Sequence, residues 1–397
     1  MQKLMILGAS VLQLPAYLEA KKMGIYTIAV DYDINAVGFK YCDKSFVVST
    51  IDTESILRIA KEEKIDGIIT LASDMPIRSV AKACEELKLK GLDYKTSVNA
   101  TDKFAMRECL SAKNVPIPSY FLVDDYISFY DAVKRFEKEC IVKPIDNSGS
   151  RGIFVITDVC DKQMIDEAYH YSKSFSRSGK ILVEEYMHGD EVSVESFTIN
   201  GITTVIQITN KMTSGIPYFV EVGHSQPCKQ PKKIINDIID VTKQAIKAIG
   251  IDNSPSHTEI KITEDGPKIV EIGARLGGGN ITTHLVPLST GVNMVANTIN
   301  IALARDIDIK QKLNNGSAIR FFFSDIDGTI ANIEYDKTIL DDKDVVEVCF
   351  QKTIGDKVKK LINGSERFGF VITKGTTEKN AVLKCNEIYN KIRIDIV

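Results

Sequence analysis

An excess of charge of one sign is missing: 50 lysines and arginines face 53 aspartates and glutamates, for a net charge of −3 spread along the whole length. No electrostatic footprint for nucleic acid appears, and a small-molecule partner is expected instead. CxxC pairs and close Cys/His spacings are also missing among the cysteines at 42, 84, 109, 140, 160, 228, 349 and 385. Neither a zinc site nor a disulfide framework is indicated, and these residues read as thiols of a reducing cytosol. No stretch of about 18 uninterrupted apolar residues occurs, and the first residues run straight into a strand pattern without a leader, so no membrane partner and a cytoplasmic location are expected. Internal repeats and low-complexity tracts are absent as well.

A further absence concerns glycine. The opening LMILGASVLQLPAYLEAKKMGIYTIAVDYD reads as an apolar strand, a glycine turn, a helix and a second strand ending in acid. A dinucleotide fingerprint needs G-x-G-x-x-G at that turn, whereas Gly8 stands alone before Ala9, Ser10, Val11, Leu12 and Gln13. Without the second and third glycines a pyrophosphate cannot approach closely, and Asp31 and Asp33 read as ordinary strand-end acids rather than ribose ligands.

What is present is a long chain, 397 residues, too many for one core and enough for roughly two to four lobes. Up to about residue 95, apolar runs (4–7, 25–30, 67–71) alternate with helical patterns (12–23, 54–64, 77–87), which predicts a parallel sheet with helices on both faces. A helix capped by Thr-Asp follows over 101–113, and NVPIPSY then breaks the chain. Strands near 140–143, 153–156 and 180–185 around a helix over 161–176 make a small α+β unit, and a longer mixed region runs to about 305. Short strand candidates (317–323, 345–350, 369–373) fill the last segment, and a helix near 377–391 closes the chain. The expected linkers lie near 95–100 and 306–316.

Several stretches carry chemistry. In ECIVKPIDNSGSRGIFV a strand delivers Lys143 into a Ser/Gly-rich loop whose backbone N–H groups can converge on an anion. In ILVEEYMHGDEVSVESF a strand ends in Glu184, Glu185 and Tyr186, turns at Gly189 and restarts with Glu191; buried strand ends seldom carry paired acids without partners. HTEIKI and KIVEIGARLGGG, joined by the turn TEDGPK, form a hairpin that places Glu259 and Glu271 at neighbouring positions. Two converging carboxylates repel unless a hard cation or an arginine neutralises them. Arg275 follows, just before Gly277, Gly278 and Gly279, as a fork for a carboxylate or phosphate.

Taken in order, TDKFAMRECL, IVKPIDNSGSRGI, VEEYMHGDEVSVE, HTEIKI and VEIGARLGGG resemble the ATP-grasp superfamily in its carboxylate–amine ligase branch, over nearly the whole chain. Together with GASVLQLPA and EVGHSQP, they make the chain most similar to L-amino-acid ligases and to small proteins like the large subunit of carbamoyl phosphate synthase. The resemblance implies a fold that is α/β and α+β, biotin carboxylase-like. Its lobes would be an N-terminal Rossmann-like domain over 1–100, a linker helix and mobile lid over 101–186, a catalytic core over 187–305 and a β-rich C-terminal segment over 306–397.

It further implies ATP and Mg2+ (with Mn2+ as a substitute), small-molecule carboxylate and amine substrates, and a homodimer as the default assembly. By the same likeness Lys103 and Lys143 contact the ATP phosphates, and Ser148, Gly149, Ser150 and Gly152 form the loop over them. Glu184, Glu185, Tyr186 and Met187 would form the adenine hinge, and Glu191 would hold the ribose. Glu259 and Glu271 match the metal ligands, and Arg275 matches the arginine that steadies the acyl phosphate or the substrate carboxylate.

One departure is that Gly273 stands where the branch pattern E-x-N-x-R has an asparagine ligand, so water is expected to complete the metal shell. His224 is the histidine expected to donate to an oxyanion or meet the amine. His170, His188, His257 and His284 read as structural, with His257 placed to orient Glu259, and Lys211 is a candidate for the γ-phosphate. The implied reaction is amide formation through an acyl phosphate, releasing ADP and phosphate. Its rivals are a bicarbonate-activating or carbamoyl-forming enzyme, since GSAIRFFF, DGTI and RFGFVITKGTTEKNA are similar to the end of biotin carboxylase, and an ATP-binding protein without catalysis. No M-K-M biotinyl segment occurs.

Overall fold

The computed structural model describes residues 1–147, 149–216 and 218–397. Strand β1 (Lys3–Leu7) is buried from Leu4 onward, as a strand covered on both faces must be. It pairs in parallel with β2 (Tyr26–Asp31), which carries the edge strand β3 (Lys44–Val47), and on its other side with β4 (Gly67–Ile69). The 4-stranded order is β3-β2-β1-β4. Helices α1 (Leu14–Lys22), α2 (Thr53–Glu63) and α3 (Ile77–Leu87) cover this sheet. Met5, Leu7, Ile28 and Val30 pack on Ile56 and Ile59 of α2 and on Val80 and Ala83 of α3. On the other face Leu4, Ile6 and Ala29 meet Ala16, Tyr17 and Ala20 of α1, together with Met294, Ile299 and Ala302 from far along the chain.

Helices α4 (Tyr94–Thr101) and α5 (Lys103–Ser111) lead out of this lobe; Asp102 caps the second by accepting from the Ala105 amide at 2.9 Å. A 4-stranded antiparallel sheet follows, built from β5 (Tyr120–Val123), β6 (Cys140–Pro144), β7 (Phe154–Ile156) and β8 (Ile181–Glu185) in the order β5-β8-β6-β7. Helices α6 (Tyr126–Val133) and α7 (Lys162–Ser174) pack on it through Phe129, Val133, Ile165 and Tyr169.

The largest sheet contains β9 (Asp190–Ile199), β10 (Ile202–Thr213), β11 (Glu221–Gln226), β12 (Ser254–Thr263) and β13 (Gly266–Gly273). Helix α8 (Lys232–Ile249) lies across it and buries Ile238, Val241, Ala245 and Ile249 against Val192, Ile208, Ile260 and Ile272. After α9 (Val286–Thr290) and α10 (Met294–Ala302) the chain adds β14 (Gly316–Phe322), β15 (Gly328–Glu334), β16 (Val345–Phe350), β17 (Lys357–Val358) and β18 (Gly369–Gly375). Three of these extend the same sheet, giving the 8-stranded order β13-β12-β9-β10-β11-β14-β18-β16.

Helix α11 (Glu378–Asn390) does not close the chain, contrary to the reading of the terminal pattern. A last strand, β19 (Arg393–Ile396), pairs with β15 in a 3-stranded sheet. Its sequence RIDI alternates too briefly to stand out, and it is stabilised by a partner 63 residues away at Asn332–Asp395. Among the described residues no helix is long and apolar enough to cross a membrane, and the cysteines are unpaired.

Candidate active site

Glu259 and Glu271 are direct register partners across β12 and β13, which puts both side chains on one face at neighbouring positions. Beyond them the register slips, because Ile260 pairs with Ile269 and leaves Val270 as an extra residue. Such a bulge re-aims side chains and frees a backbone group. The Val270 carbonyl accepts from Arg107 Nη2 at 2.8 Å. Glu271 is held by Lys103, whose Nζ donates to Oε1 and to the Asn147 carbonyl, both at 2.8 Å. Because Lys103 opens α5 directly after its Asp102 cap, the helix start fixes the ammonium between the hairpin and the loop that follows β6.

Behind that loop lies a closed group of charges. Glu184 accepts from Arg107 Nε at 2.7 Å and Nη2 at 3.1 Å, and Lys143 Nζ lies 2.5 Å away. Arg107 and Glu184 are each 1% exposed and Lys143 6%. Burial pushes the Glu184 carboxyl up, but Arg107 and Lys143 outweigh it and hold the group below its usual range. Burial also pushes the Lys143 ammonium down, against the pull of Glu184. Two cations share one anion, and Arg107 Nη1 is buried without a hydrogen-bond partner. A phosphate oxygen would answer both the residual charge and the orphaned donor. Nothing local marks Arg107, which beside Glu108 reads as a solvated helix residue. The Glu184 side chain is committed to this group; its neighbour Glu185 is tied to Lys268 at 3.0 Å and to the Ser119 amide at 3.1 Å. Beyond them Met187 is buried, and the Tyr186 ring lies 5.8 Å from that of Phe219.

The opposite balance holds on the large sheet. Lys211 on β10, 3% exposed, meets Glu191 at 2.7 Å, Glu221 at 2.9 Å and Glu259 at 3.1 Å. The strand order brings these acids from β9, β11 and β12 to one ammonium. Burial pulls the Lys211 pKa down, yet the three carboxylates raise it well above its ordinary value. Glu221 and Glu259 are correspondingly held below theirs, against burial, with Lys211 the leading cause. Glu191 is further met by Lys261 at 3.4 Å. His257 bridges Glu195 at 2.5 Å and Glu259 at 3.3 Å; burial opposes its protonation, but the Glu195 carboxylate raises its pKa to about 9.

Arg275 forms a two-pronged pair with Asp74, Nε to Oδ1 at 2.7 Å and Nη2 to Oδ2 at 3.0 Å. Gly273 makes room for it, since a Cβ there would come within 3.1 Å of Asp74 Oδ1 and 3.3 Å of Arg275 Cζ. His224 is fully buried, with its ring edge-on to Phe321, and neither ring nitrogen has a hydrogen-bond partner. Its Nε2 lies 3.5 Å from Glu221 Oε2, an ion-pair distance. The space beside it is open only because residue 279 is glycine: a Cβ would sit 2.9 Å from Nε2.

The glycine-rich loop after β6 runs left-handed at Gly149, Ser150 and Gly152, with φ of 70°, 58° and 81°; Ser148 lies outside the described residues. At Gly149 a Cβ would meet nothing within 4 Å, whereas at Gly152 it would meet Phe175 Cβ at 2.7 Å and Pro144 Cγ at 3.0 Å. The first glycine is required by conformation alone, the second also by packing. At the first sheet, by contrast, the Ala9 amide that would face a pyrophosphate is taken by Asp31 Oδ2 at 2.6 Å. Of the other histidines, His284 contacts Glu347 at 3.5 Å, and His188 pairs with Glu139 and stands edge-on to the Tyr186 ring at 4.9 Å.

Residues 136–284 match the ATP-grasp domain, and residues 320–397 match the L-amino acid ligase C-terminal domain 2. The chain is 29% identical over 229 residues to the formate-dependent phosphoribosylglycinamide formyltransferase of Hydrogenovibrio crunogenus, covering 56% of this chain and 54% of that one. It is 27% identical over 252 residues to the alanine–anticapsin ligase of Bacillus subtilis, covering 58% and 53%. The chain thus spans about half the length of these curated relatives. The crystal structure of the L-amino acid ligase from Bacillus licheniformis superposes with a TM-score of 0.85 at 20% identity, over 100% of this chain and 99% of that one, which shows a shared fold. The C-terminal segment, read from its sequence as similar to the end of biotin carboxylase, matches the amino acid ligase domain, and biotin carboxylase from Campylobacter jejuni also superposes, with a TM-score of 0.76 at 16% identity over 100% of this chain and 92% of that one.

Proposed function

We propose that the chain is an ATP-grasp ligase that joins a carboxylate to an amine through an acyl phosphate, releasing ADP and phosphate. The observation that carries this reading is the register pairing of Glu259 with Glu271 between a cation-rich group and a carboxylate-rich one. No group of three or more metal-type side chains converges among the described residues. Two hard carboxylates without a third ligand fit a magnesium ion, which keeps several waters and binds phosphate oxygens beside one or two protein groups. When bound, it would supply positive charge that offsets the charge on the phosphate oxygens during transfer.

In this reading Lys103, Lys143 and Arg107 face the phosphates of ATP, and the loop carrying Gly149, Ser150 and Gly152 closes over them. The backbone of 185–187 receives the adenine, and Glu191 the ribose. The substrate carboxylate attacks the γ-phosphorus, ADP leaves, and the amine attacks the acyl carbonyl as phosphate departs. Arg275 holds the developing oxyanion, and His224, buried with two unpaired nitrogens, donates to it or receives the amine. His257, fixed by Glu195, orients Glu259. Closure protects the acyl phosphate from water.

The test is Mg-ATP turnover against a grid of paired amino acids and bicarbonate, scoring phosphate and separating ADP from AMP. ADP and phosphate formed only with a particular acid and amine establish the ligase. Bicarbonate-dependent release, or AMP formation, overturns it.

A further inference from the structure

Asp74 follows β4 in the first lobe, 201 residues before Arg275, and yet it occupies the arginine's whole side edge. Its place is set twice: its own carbonyl accepts from the Ile77 amide at 3.1 Å at the start of α3, and Gly273 leaves the space its Oδ1 requires. Arginine has five N–H donors in a rigid plane. Two go to Asp74, and one Nη1 hydrogen goes to the Leu276 carbonyl at 3.1 Å. One hydrogen on Nη1 and one on Nη2 remain, and the terminal edge of the guanidinium is the one that Asp74 does not occupy. That edge has the spacing to grip two oxygens of a single carboxylate or phosphoryl group.

We propose that Asp74 is a positioning residue for the ligase reaction: by clamping the Nε–Nη2 edge of Arg275 it presents the terminal edge as a preset fork for the reacting oxyanion. The inference rests on the site reading given above. It makes the first lobe a working part of the active site, because an arginine held this way need not lose its own side-chain freedom when the oxyanion arrives.

The experiment measures inorganic phosphate binding to the full-length protein in the presence of saturating Mg-ADP, by calorimetry, in the wild type and in Asp74→Asn, Asp74→Ala, Arg275→Ala and the double variant Asp74→Ala/Arg275→Ala. Mg-ADP affinity is measured alongside; a merely structural role for Asp74 would move it, whereas positioning leaves it unchanged. The expected result is phosphate binding about tenfold weaker in Asp74→Ala, less weakened in Asp74→Asn, and no weaker in the double variant than in Arg275→Ala. Additive losses in the double variant, unchanged phosphate affinity in both Asp74 variants, or no phosphate binding by a wild type that holds Mg-ADP would each overturn the proposal while leaving the nucleotide site standing. Failure of Mg-ADP to bind would bring down the functional reading and this inference together. If Asp74→Ala does not fold, Asp74→Asn, which keeps the shape, decides alone.

Discussion

The two charge groups of the site are opposites. The Arg107–Glu184–Lys143 group is sealed, with every member 6% exposed or less and cations in excess. Around Lys211 carboxylates are in excess, and Glu221 and Glu259 are about a quarter exposed on their side chains. The sealed group sits on the β6–β8 sheet with a surplus suited to phosphate; the open one sits on the large sheet with a surplus suited to a metal or an amine. The contrast separates a group closed around its own carboxylate, with a cationic surplus left over for phosphate, from one whose carboxylates can exchange partners. A buried ion pair tolerates no missing member, whereas a half-open carboxylate cluster can trade a lysine for a bound cation.

The sharpest way to break this distinction is Glu184→Ala. It leaves Arg107 and Lys143 buried and unpaired, and a loss of about 3–5 kcal/mol is expected, measured by urea unfolding. A loss below about 1 kcal/mol, as for a surface pair, would show that the group is not sealed in solution. Glu271→Gln tests the carboxylate that pairs in register with Glu259 of the open group. Turnover should fall by a factor of about 10² or more through loss of a charge-neutralising ligand, while ATP binding, followed by nucleotide fluorescence, stays measurable; near-normal turnover would sink the metal assignment.

Smaller effects sharpen the comparison further. Gly152→Ala should cost about 1–3 kcal/mol, from the contact with Phe175 and Pro144 and from its left-handed φ. Gly149→Ala, with the same sign of φ and open space, should cost about 1 kcal/mol; equal losses would refute the packing difference. Acid should act on both groups. Glu184, Glu221 and Glu259 are held below their ordinary value of 4.5, so their contribution is present above that pH and lost as pH falls below it toward the folded values. Unfolding between pH 6 and 3 should therefore show a fall below about pH 4.5 that is shallower in Glu184→Gln; an identical slope would mean that Glu184 contributes nothing to it.

Much of the frame was legible in the sequence because burial writes itself into composition. The runs at Leu4–Leu7 and Tyr26–Asp31 are apolar because both their faces are covered, and the predicted parallel strands lie there. Strand β3 escaped, since as a sheet edge its Lys44, Ser45 and Val47 are exposed and no apolar pattern is required. The Glu259–Glu271 hairpin was readable because its partners are close in sequence and joined by a turn. Asp74 with Arg275 and Lys211 with its three acids were not, because only sheet order and lobe packing bring those residues together. Arg107 was hidden for a related reason: its partners Glu184 and Val270 are 77 and 163 residues away.

The helix α10, which lies on the first sheet beside α1, has a bearing on how the chain is made. A Cβ at Gly67 of β4 would come within 2.6 Å of the Ala302 carbonyl, so the late helix seats directly against the earliest strands. At synthesis rates of about 5–20 residues per second, the strands ending at Ile69 precede that helix by on the order of 10–50 s. During that interval part of one apolar face, around Leu4, Ile6 and Ile69, awaits its cover. The lobe that carries these strands is therefore finished only after residues near 302 are made, and a similar wait delays the moment at which Asp74 can find Arg275.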